Sequence, residues 1–193
     1  MGRLFGTDGI RGKANTYLTC EMALRIGRAT AQVLEDDRRR LLFCVGCDTR
    51  ISSDMLCHSI AAGLCSAGAD VIILGVVPTP ALAYLVNKYK ADSGIMISAS
   101  HNPAEYNGIK IFGGEGYKIP DELEEKIESI VLDQSDSILS ETEIGKIKYA
   151  TKAVRDYVDH LKSTVMNSLD GMKVAVDCSN GSSFVSAKTL FRE

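Results

Sequence analysis

Three short apolar runs, residues 41–45 (LLFCV), 71–74 (VIIL) and 95–97 (IMI), are separated by stretches of helical periodicity. This alternation constrains the fold more than any other feature. Runs without a polar residue at every second position suit strands covered on both faces. Between them, Thr19 is positioned as an N-cap ahead of Ala23, Ile26, Ala29, Val33 and Leu34, which share one helical face. Ser52 or Ser53 caps a second helix with a stripe of Leu56, Ile60, Leu64 and Ala67, and Gly68 is placed to stop it. Pro78-Thr79-Pro80 opens a third helix that buries Leu82, Leu85 and Val86. A strand–helix–strand–helix–strand rhythm predicts an α/β sheet with helices on both faces. A further strand around Ile109, Ile111 and Phe112 follows the turn signal Asn107-Gly108 and is expected to run antiparallel. The expected fold is therefore a three-layer α/β/α unit with a mixed, mainly parallel four-stranded sheet whose last strand is antiparallel. In such sheets, reactive side chains collect beyond the carboxyl ends of the parallel strands.

The third apolar run leads into the stretch richest in chemistry, GIMISASHNPAEYNGIKIF at residues 94–112. It breaks into Ser98-Ala99-Ser100-His101-Asn102-Pro103, where Pro103 biases Asn102 away from the α region. The return strand carries Lys110 back towards the loop. A hydroxyl at Ser100, an imidazole at His101 and an amine at Lys110 form an inventory for covalent catalysis with acid–base help. From spacing alone, a polar capping loop between two core strands fits the same residues.

The first fifteen residues, MGRLFGTDGIRGKAN, show neither helical nor strand periodicity. Gly2, Gly6, Gly9 and Gly12 leave amides accessible, and Arg3, Arg11 and Lys13 add positive charge. Glycine amides with an arginine fork suit a phosphate, though an ordinary glycine-rich leader has the same composition. Gly113-Gly114-Glu115-Gly116 lacks the spacing and the following helix of a dinucleotide fingerprint.

Net charge is −3, from 22 basic and 25 acidic residues, which gives no electrostatic argument for nucleic acid or an anionic membrane as a partner. Arg38-Arg39-Arg40 is the single basic run, and after Glu35-Asp36-Asp37 it reads as a solvated helix end. No stretch approaches the ~20 apolar residues that span a bilayer, and residues 1–15 contain no apolar core of a secretory signal. Cys20, Cys44, Cys47, Cys57, Cys65 and Cys178 lie in apolar or helical patterns, as expected of reduced thiols in a cytoplasmic protein. Cys44 and Cys47 have the spacing of a metal or redox pair, but three residues along a strand they point to opposite faces.

Pro120 starts a further helix with Leu123, Ile127, Ile130 and Val131 on its apolar face. Residues 133–151 lose periodicity and gain Ser, Thr and acids, which marks a boundary. Beyond it Val154, Val158, Leu161 and Val165 indicate a helix, residues 173–176 a strand, 177–181 a turn and 182–191 a helix. One strand cannot make a sheet. Residues 1–145 are thus expected to form one domain, and residues 146–193 to begin a second.

Two motifs also carry a resemblance that covers the whole chain. Ser98-Ala99-Ser100-His101-Asn102-Pro103, with Asn107-Gly108-Ile109-Lys110, resembles the active-site serine loop of the phosphohexomutases. Phe5-Gly6-Thr7-Asp8-Gly9-Ile10-Arg11-Gly12 resembles their N-terminal signature, in the form most like the branch that isomerises glucosamine phosphates. The phosphomannomutase and phosphoglucomutase branch usually has other residues before Ile-Arg-Gly. The resemblance implies that Ser100 is phosphorylated and passes its phosphoryl group to a sugar phosphate. It implies catalytic roles for Ser100, His101, Lys110 and Arg11, and substrate binding by Arg11, His101, Asn102 and Lys110. It also implies Mg²⁺ as cofactor, ligated here through a phosphoryl oxygen on Ser100. The family's aspartate-rich metal loop, its sugar-selecting loop and its distal phosphate site have no counterpart in this sequence. The implied partner is a small hexosamine phosphate, with no nucleic acid or membrane, and with a second copy of the chain as a homodimer. A chain ending at Glu193 is expected to be inactive alone. A non-catalytic structural or assembly module is the alternative of a different class, and Asp48 and Arg50 are expected to support the serine loop through turn formation and pairing.

Overall fold

In the chain's computed structural model, residues 4–35, 39–133 and 143–193 are described. In chain order the elements are β1 (Ile10–Lys13), α1 (Cys20–Val33), β2 (Leu42–Cys47), α2 (Ser53–Ser66), β3 (Asp70–Val76) and α3 (Thr79–Lys88). They continue with β4 (Ser93–Ile97), β5 (Tyr106–Gly113), α4 (Asp121–Leu132), β6 (Ile147–Tyr149), α5 (Ala153–Ser163) and α6 (Phe184–Leu190).

The apolar runs become β2, β3 and β4, which pair in parallel around β2. Along β2 the side chains divide by parity. Phe43, Val45 and Cys47 enter one core with α1, α2 and α4, whereas Leu42 and Cys44 enter the other with α3 and α5. The expected three-layer α/β/α arrangement follows. Cys44 and Cys47 do point to opposite faces, and all six cysteines are free thiols. Burial pushes the Cys44 thiol up to about 12, so it stays protonated and inert.

The sheet has six strands among the described residues, in the order β1-β5-β4-β2-β3-β6, rather than the expected four. β5 is antiparallel to β4, as expected, and also to β1. β1 escaped the pattern because a backbone ladder to β5 holds it, with Ile10 opposite Ile109 and Lys13 opposite Tyr106. β6 is a three-residue exposed edge strand on β3, and its Ile147-Lys148-Tyr149 alternation is too short to stand out from the polar stretch around it. Asn107-Gly108, expected as a turn, lies inside β5. Glycine is needed there for close approach: a Cβ on Gly108 would sit 2.6 Å from the Ser98 carbonyl oxygen and 2.9 Å from that of Ile10. Residues 173–176, expected as a strand, run as exposed irregular chain and pair with none of the described strands.

Thr19 caps α1 as anticipated, its Oγ1 accepting from Met22 N at 3.2 Å. Arg39 and Arg40 do more than end a helix. Arg39 pairs with Asp92, and Arg40 with Asp70 and Glu143, tying the chain ahead of β2 to the starts of β3 and β4. Past residue 145, β6 joins the sheet and α5 packs on α3, where Asp156 accepts from the Tyr89 hydroxyl at 2.6 Å and pairs with Lys88 at 3.2 Å. Those two partners, Tyr89 foremost, hold the Asp156 carboxyl below its usual range.

Helices α1 and α2 cross at glycines. A Cβ on Gly63 would lie 2.2 Å from Leu24 O, and one on Gly27 would lie 2.5 Å from Ile60 O. Both obstacles are backbone, so a methyl group forces the helices apart. Gly63→Ala is expected to destabilise the fold by about 1–3 kcal/mol, the usual cost of overpacking, despite alanine's better helix propensity. Urea denaturation of the two proteins measures this, and an unchanged or raised midpoint would refute the close-crossing account.

Candidate active site

The carboxyl ends of β2 and β4 open into a cleft of about 900 Å³. Asp48, Arg50, Ser100, His101, Asn102 and Lys110 line it on one side, and residues 178–182 face them. Thr49 Oγ1 joins the two sides through a hydrogen bond to the carbonyl of Asn180. The sequence read 177–181 only as a strand-end turn, and nothing in its composition placed it opposite the serine loop.

Ser100 is exposed and adopts φ = 56°, a left-handed conformation that side-chain-bearing residues rarely take. Its N–H donates to Ser98 Oγ at 3.2 Å, and its carbonyl accepts from Arg50 Nη2 at 3.1 Å. Asn102 N closes the turn on Ala99 O at 3.1 Å. The two serines are therefore inequivalent. Ser98 is buried, with its hydroxyl engaged by the Ser100 amide, while the Ser100 hydroxyl projects into the cleft. His101 follows directly, its Nδ1 lying 3.4 Å from Ser100 Oγ. Lys110 reaches the same cleft from β5, opposite Met96 of β4.

Arg11 is placed differently from the other four residues singled out from the sequence. It sits on β1 opposite Gly108 and beside the cleft rather than along its lining. Its Nη1 donates to Asn102 Oδ1 at 3.1 Å and its Nη2 pairs with Asp8 at 3.0 Å, while its Nε is buried with no partner. Ser100, His101, Asn102 and Lys110 are thus brought together directly, and Arg11 joins them through Asn102.

Behind the loop lies a polar network that the sequence revealed only in part. Asp48 Oδ2 accepts from Arg50 Nε at 3.1 Å, and its Oδ1 accepts from Ser53 Oγ at 2.7 Å and from Arg50 N at 3.0 Å. Asn107, fully buried, donates through Nδ2 to Ser52 Oγ and Ser53 Oγ at 2.9 and 3.2 Å, and its Oδ1 accepts from Gly108 N at 2.8 Å. The expected pairing of Asp48 with Arg50 is present. Asn107 was hidden by its turn-like neighbour. An asparagine amid the strand-like residues 106–112 was the one available signal.

Among the described residues, no group of three or more His, Cys, Asp or Glu side chains is arranged to hold a metal ion. None of their helices is long and apolar enough to cross a membrane.

This α/β/α unit, with its serine loop at the sheet's carboxyl edge, matches the model of the phosphoglucomutase/phosphomannomutase α/β/α domain I over residues 2–137. The chain belongs to the phosphoglucomutase/phosphomannomutase family. Among curated proteins it is similar to a phosphoglucosamine mutase of Clostridium novyi, with 52% identity over 195 residues, covering 100% of this chain and 43% of that protein. It is likewise similar to a phosphoglucosamine mutase of Acetivibrio thermocellus, with 53% identity over 196 residues, covering 100% of this chain and 44% of that protein. The chain thus spans less than half the length of these relatives. Among solved structures, a phosphoglucomutase/phosphomannomutase family protein from Burkholderia thailandensis superposes with a TM-score of 0.82 at 27% identity, over 98% of this chain and 41% of that one.

Truncating Asn107 leaves buried donors and acceptors without partners at the base of the loop. Asn107→Ala is expected to cost about 1–3 kcal/mol, the penalty for orphaned buried polar groups, and to raise amide exchange across residues 98–106. Thermal denaturation with hydrogen exchange tests it. Unchanged protection in that segment would show that the network does not support the loop.

Proposed function

We propose that the chain is the serine-bearing N-terminal part of a phosphoglucosamine mutase, an intramolecular phosphotransferase of the isomerase class. The parent enzyme would interconvert glucosamine 6-phosphate and glucosamine 1-phosphate, an amino-sugar step towards peptidoglycan precursors. The observation that carries this reading is the exposed, left-handed Ser100 beside His101 and Lys110 in one cleft. The two relatives described above, at 52% and 53% identity, bear the amino-sugar name, which favours it over a phosphomannomutase or phosphoglucomutase.

In this reading phospho-Ser100 donates its phosphoryl group to the free hydroxyl of a bound sugar phosphate. The bond from phosphorus to Ser100 Oγ breaks, a bond from phosphorus to the sugar oxygen forms, and the sugar's hydroxyl proton passes to a base. Ser100 Oγ takes up a proton as it leaves. The bisphosphate then turns over in the site and returns its other phosphoryl group to Ser100. His101 and Lys110 are the groups placed to move these protons. Arg11 and Asn102 hold phosphoryl oxygens, with Arg11 placed beside the cleft and its fork aligned by Asn102. Phosphoryl transfer depends on alignment and charge neutralisation, which these residues supply.

The Asp48 carboxylate is engaged by Arg50 and Ser53, so the donor this chain offers Mg²⁺ is a phosphoryl oxygen on Ser100, a hard ligand suited to that cation. A bound Mg²⁺ would neutralise charge on the group in transfer. In the longer protein, residues 1–145 carry the serine domain, with β6 and α5 packed onto its sheet and α3, and the chain beyond α5 leads into the next, with a homodimer as the assembly. Six free thiols suit a cytoplasmic setting.

Two measurements test this reading. The 193-residue chain alone is expected to show no mutase turnover, because most sugar contacts and metal ligands lie elsewhere in such an enzyme. Turnover in a coupled assay that scales with its concentration and vanishes in Ser100→Ala would contradict that. In the full-length protein, Ser100→Ala is expected to nearly abolish activity, and Lys110→Ala and Arg11→Ala to lower kcat by about 10²-fold. Ser98→Ala is expected to have a much smaller effect, since that hydroxyl, although it borders the cleft, is buried and engaged by the Ser100 amide. If Ser98→Ala abolishes activity while Ser100→Ala spares it, the phosphoryl carrier is misassigned.

A further inference from the structure

Arg50 takes no part in the chemistry above, yet all five N–H donors of its guanidinium are used. One binds Asp48. The other four bind carbonyls of the serine loop: Pro103 O at 2.6 Å, Tyr106 O at 2.9 Å, Ser100 O at 3.1 Å and Asn102 O at 2.8 Å. We infer that Arg50 is a positioning residue, whose guanidinium gathers these four carbonyls and so holds Ser100 in the left-handed conformation that presents its hydroxyl to the cleft. This rests on the reading of Ser100 as the phosphoryl carrier.

A substrate-binding arginine would look different. Arg50 has no donor left for a phosphate, its charge is met by Asp48, and its side chain is only 11% exposed. A simple turn-former would also look different. The Asp48–Arg50 turn is already closed by the bond from Arg50 N to Asp48 Oδ1, whereas the four carbonyls lie 50 to 56 residues further along the chain. Bonds from a charged donor are strong enough to offset a backbone conformation that serine disfavours.

The clamp is also referenced to rigid parts. Asp48 is fixed by Ser53 at the start of α2, and Ser53 by Asn107 of β5. Asn107 lies three residues before Lys110 on the same strand. One chain of hydrogen bonds therefore registers the loop bearing Ser100 against the strand bearing Lys110.

The test uses the full-length enzyme, comparing Arg50→Ala, Arg50→Lys and Asp48→Asn with wild type for kcat, KM, thermal midpoint and rescue by free guanidinium. Arg50→Ala is expected to lose about 10²-fold in kcat, as for a displaced reacting group, with KM for the sugar phosphate changed less than about threefold. Arg50→Lys should recover little, because an ammonium has three donors and no planar fork. Guanidinium should restore part of the Arg50→Ala rate and none of the Ser100→Ala rate. Should Arg50→Ala not fold, Asp48→Asn decides: lowered kcat at constant KM supports the clamp, and a wild-type kcat overturns it. A loss in Arg50→Ala that guanidinium does not reverse, or one carried by KM, also overturns it. An active wild type with equally active Arg50 variants sinks the clamp alone. A wild type with neither mutase turnover nor phosphoserine at Ser100 sinks the parent reading and the clamp together.

Discussion

Strand β2 has no face it can leave in water. Phe43, Val45 and Cys47 point to one side and Leu42 and Cys44 to the other, and all but Leu42 are fully or almost fully buried. Each large side chain so buried contributes about 1.5–3 kcal/mol, but only when helices cover both faces. That requirement forces a crossover helix after each parallel strand, which makes β2, β3 and β4 run in one direction. Their carboxyl ends then meet at one edge, and the segments leaving β2 and β4 carry Asp48-Thr49-Arg50 and Ser98 to Pro103. The site is a consequence of covering a two-sided strand.

What could be read from the sequence follows from this. β2, β3, β4 and their helices were legible because apolar periodicity is how two-sided burial appears in a sequence. The Ser100–His101–Asn102 loop and Lys110 were legible because a strand ends abruptly in small and polar residues. β1 and β6 were not legible: backbone bonding to a neighbour holds one, and the other is a short exposed edge. Each is too short for its alternation, around the buried Ile10 in one and Ile147-Lys148-Tyr149 in the other, to stand out in the sequence.

Asn107-Gly108 shows how a local rule loses to tertiary context. The pair favours a turn because both residues tolerate positive φ. Here β5 uses the same two properties otherwise. Gly108 lets the strand approach β1 and the Ser98 carbonyl, and the amide of Asn107 satisfies Ser52, Ser53 and the Gly108 N–H within the core. The reversal the sequence assigned to this pair occurs earlier, across residues 98–105. Its sharpness comes from the left-handed Ser100 and from a guanidinium 50 residues away in sequence. Local pattern cannot announce such a partner.

The cations around the loop divide by what already binds them. Arg50 is saturated by one carboxylate and four carbonyls, so its charge acts on backbone geometry. Arg11 is half committed, with Asp8 and Asn102 on its terminal nitrogens and Nε unpaired. Lys110 lines the cleft and makes no ion pair among the described residues. In the proposed reaction a phosphoryl group on Ser100 brings about −2 charge and acceptor oxygens into this gradient. Arg50 has no donor to give it. Lys110 can approach without breaking an existing bond, and Arg11 adds positive charge from beside the cleft while Asn102 keeps its fork aligned. An anion therefore completes the open part of the site without loosening the sealed part, which is the preorganisation that phosphoryl transfer requires.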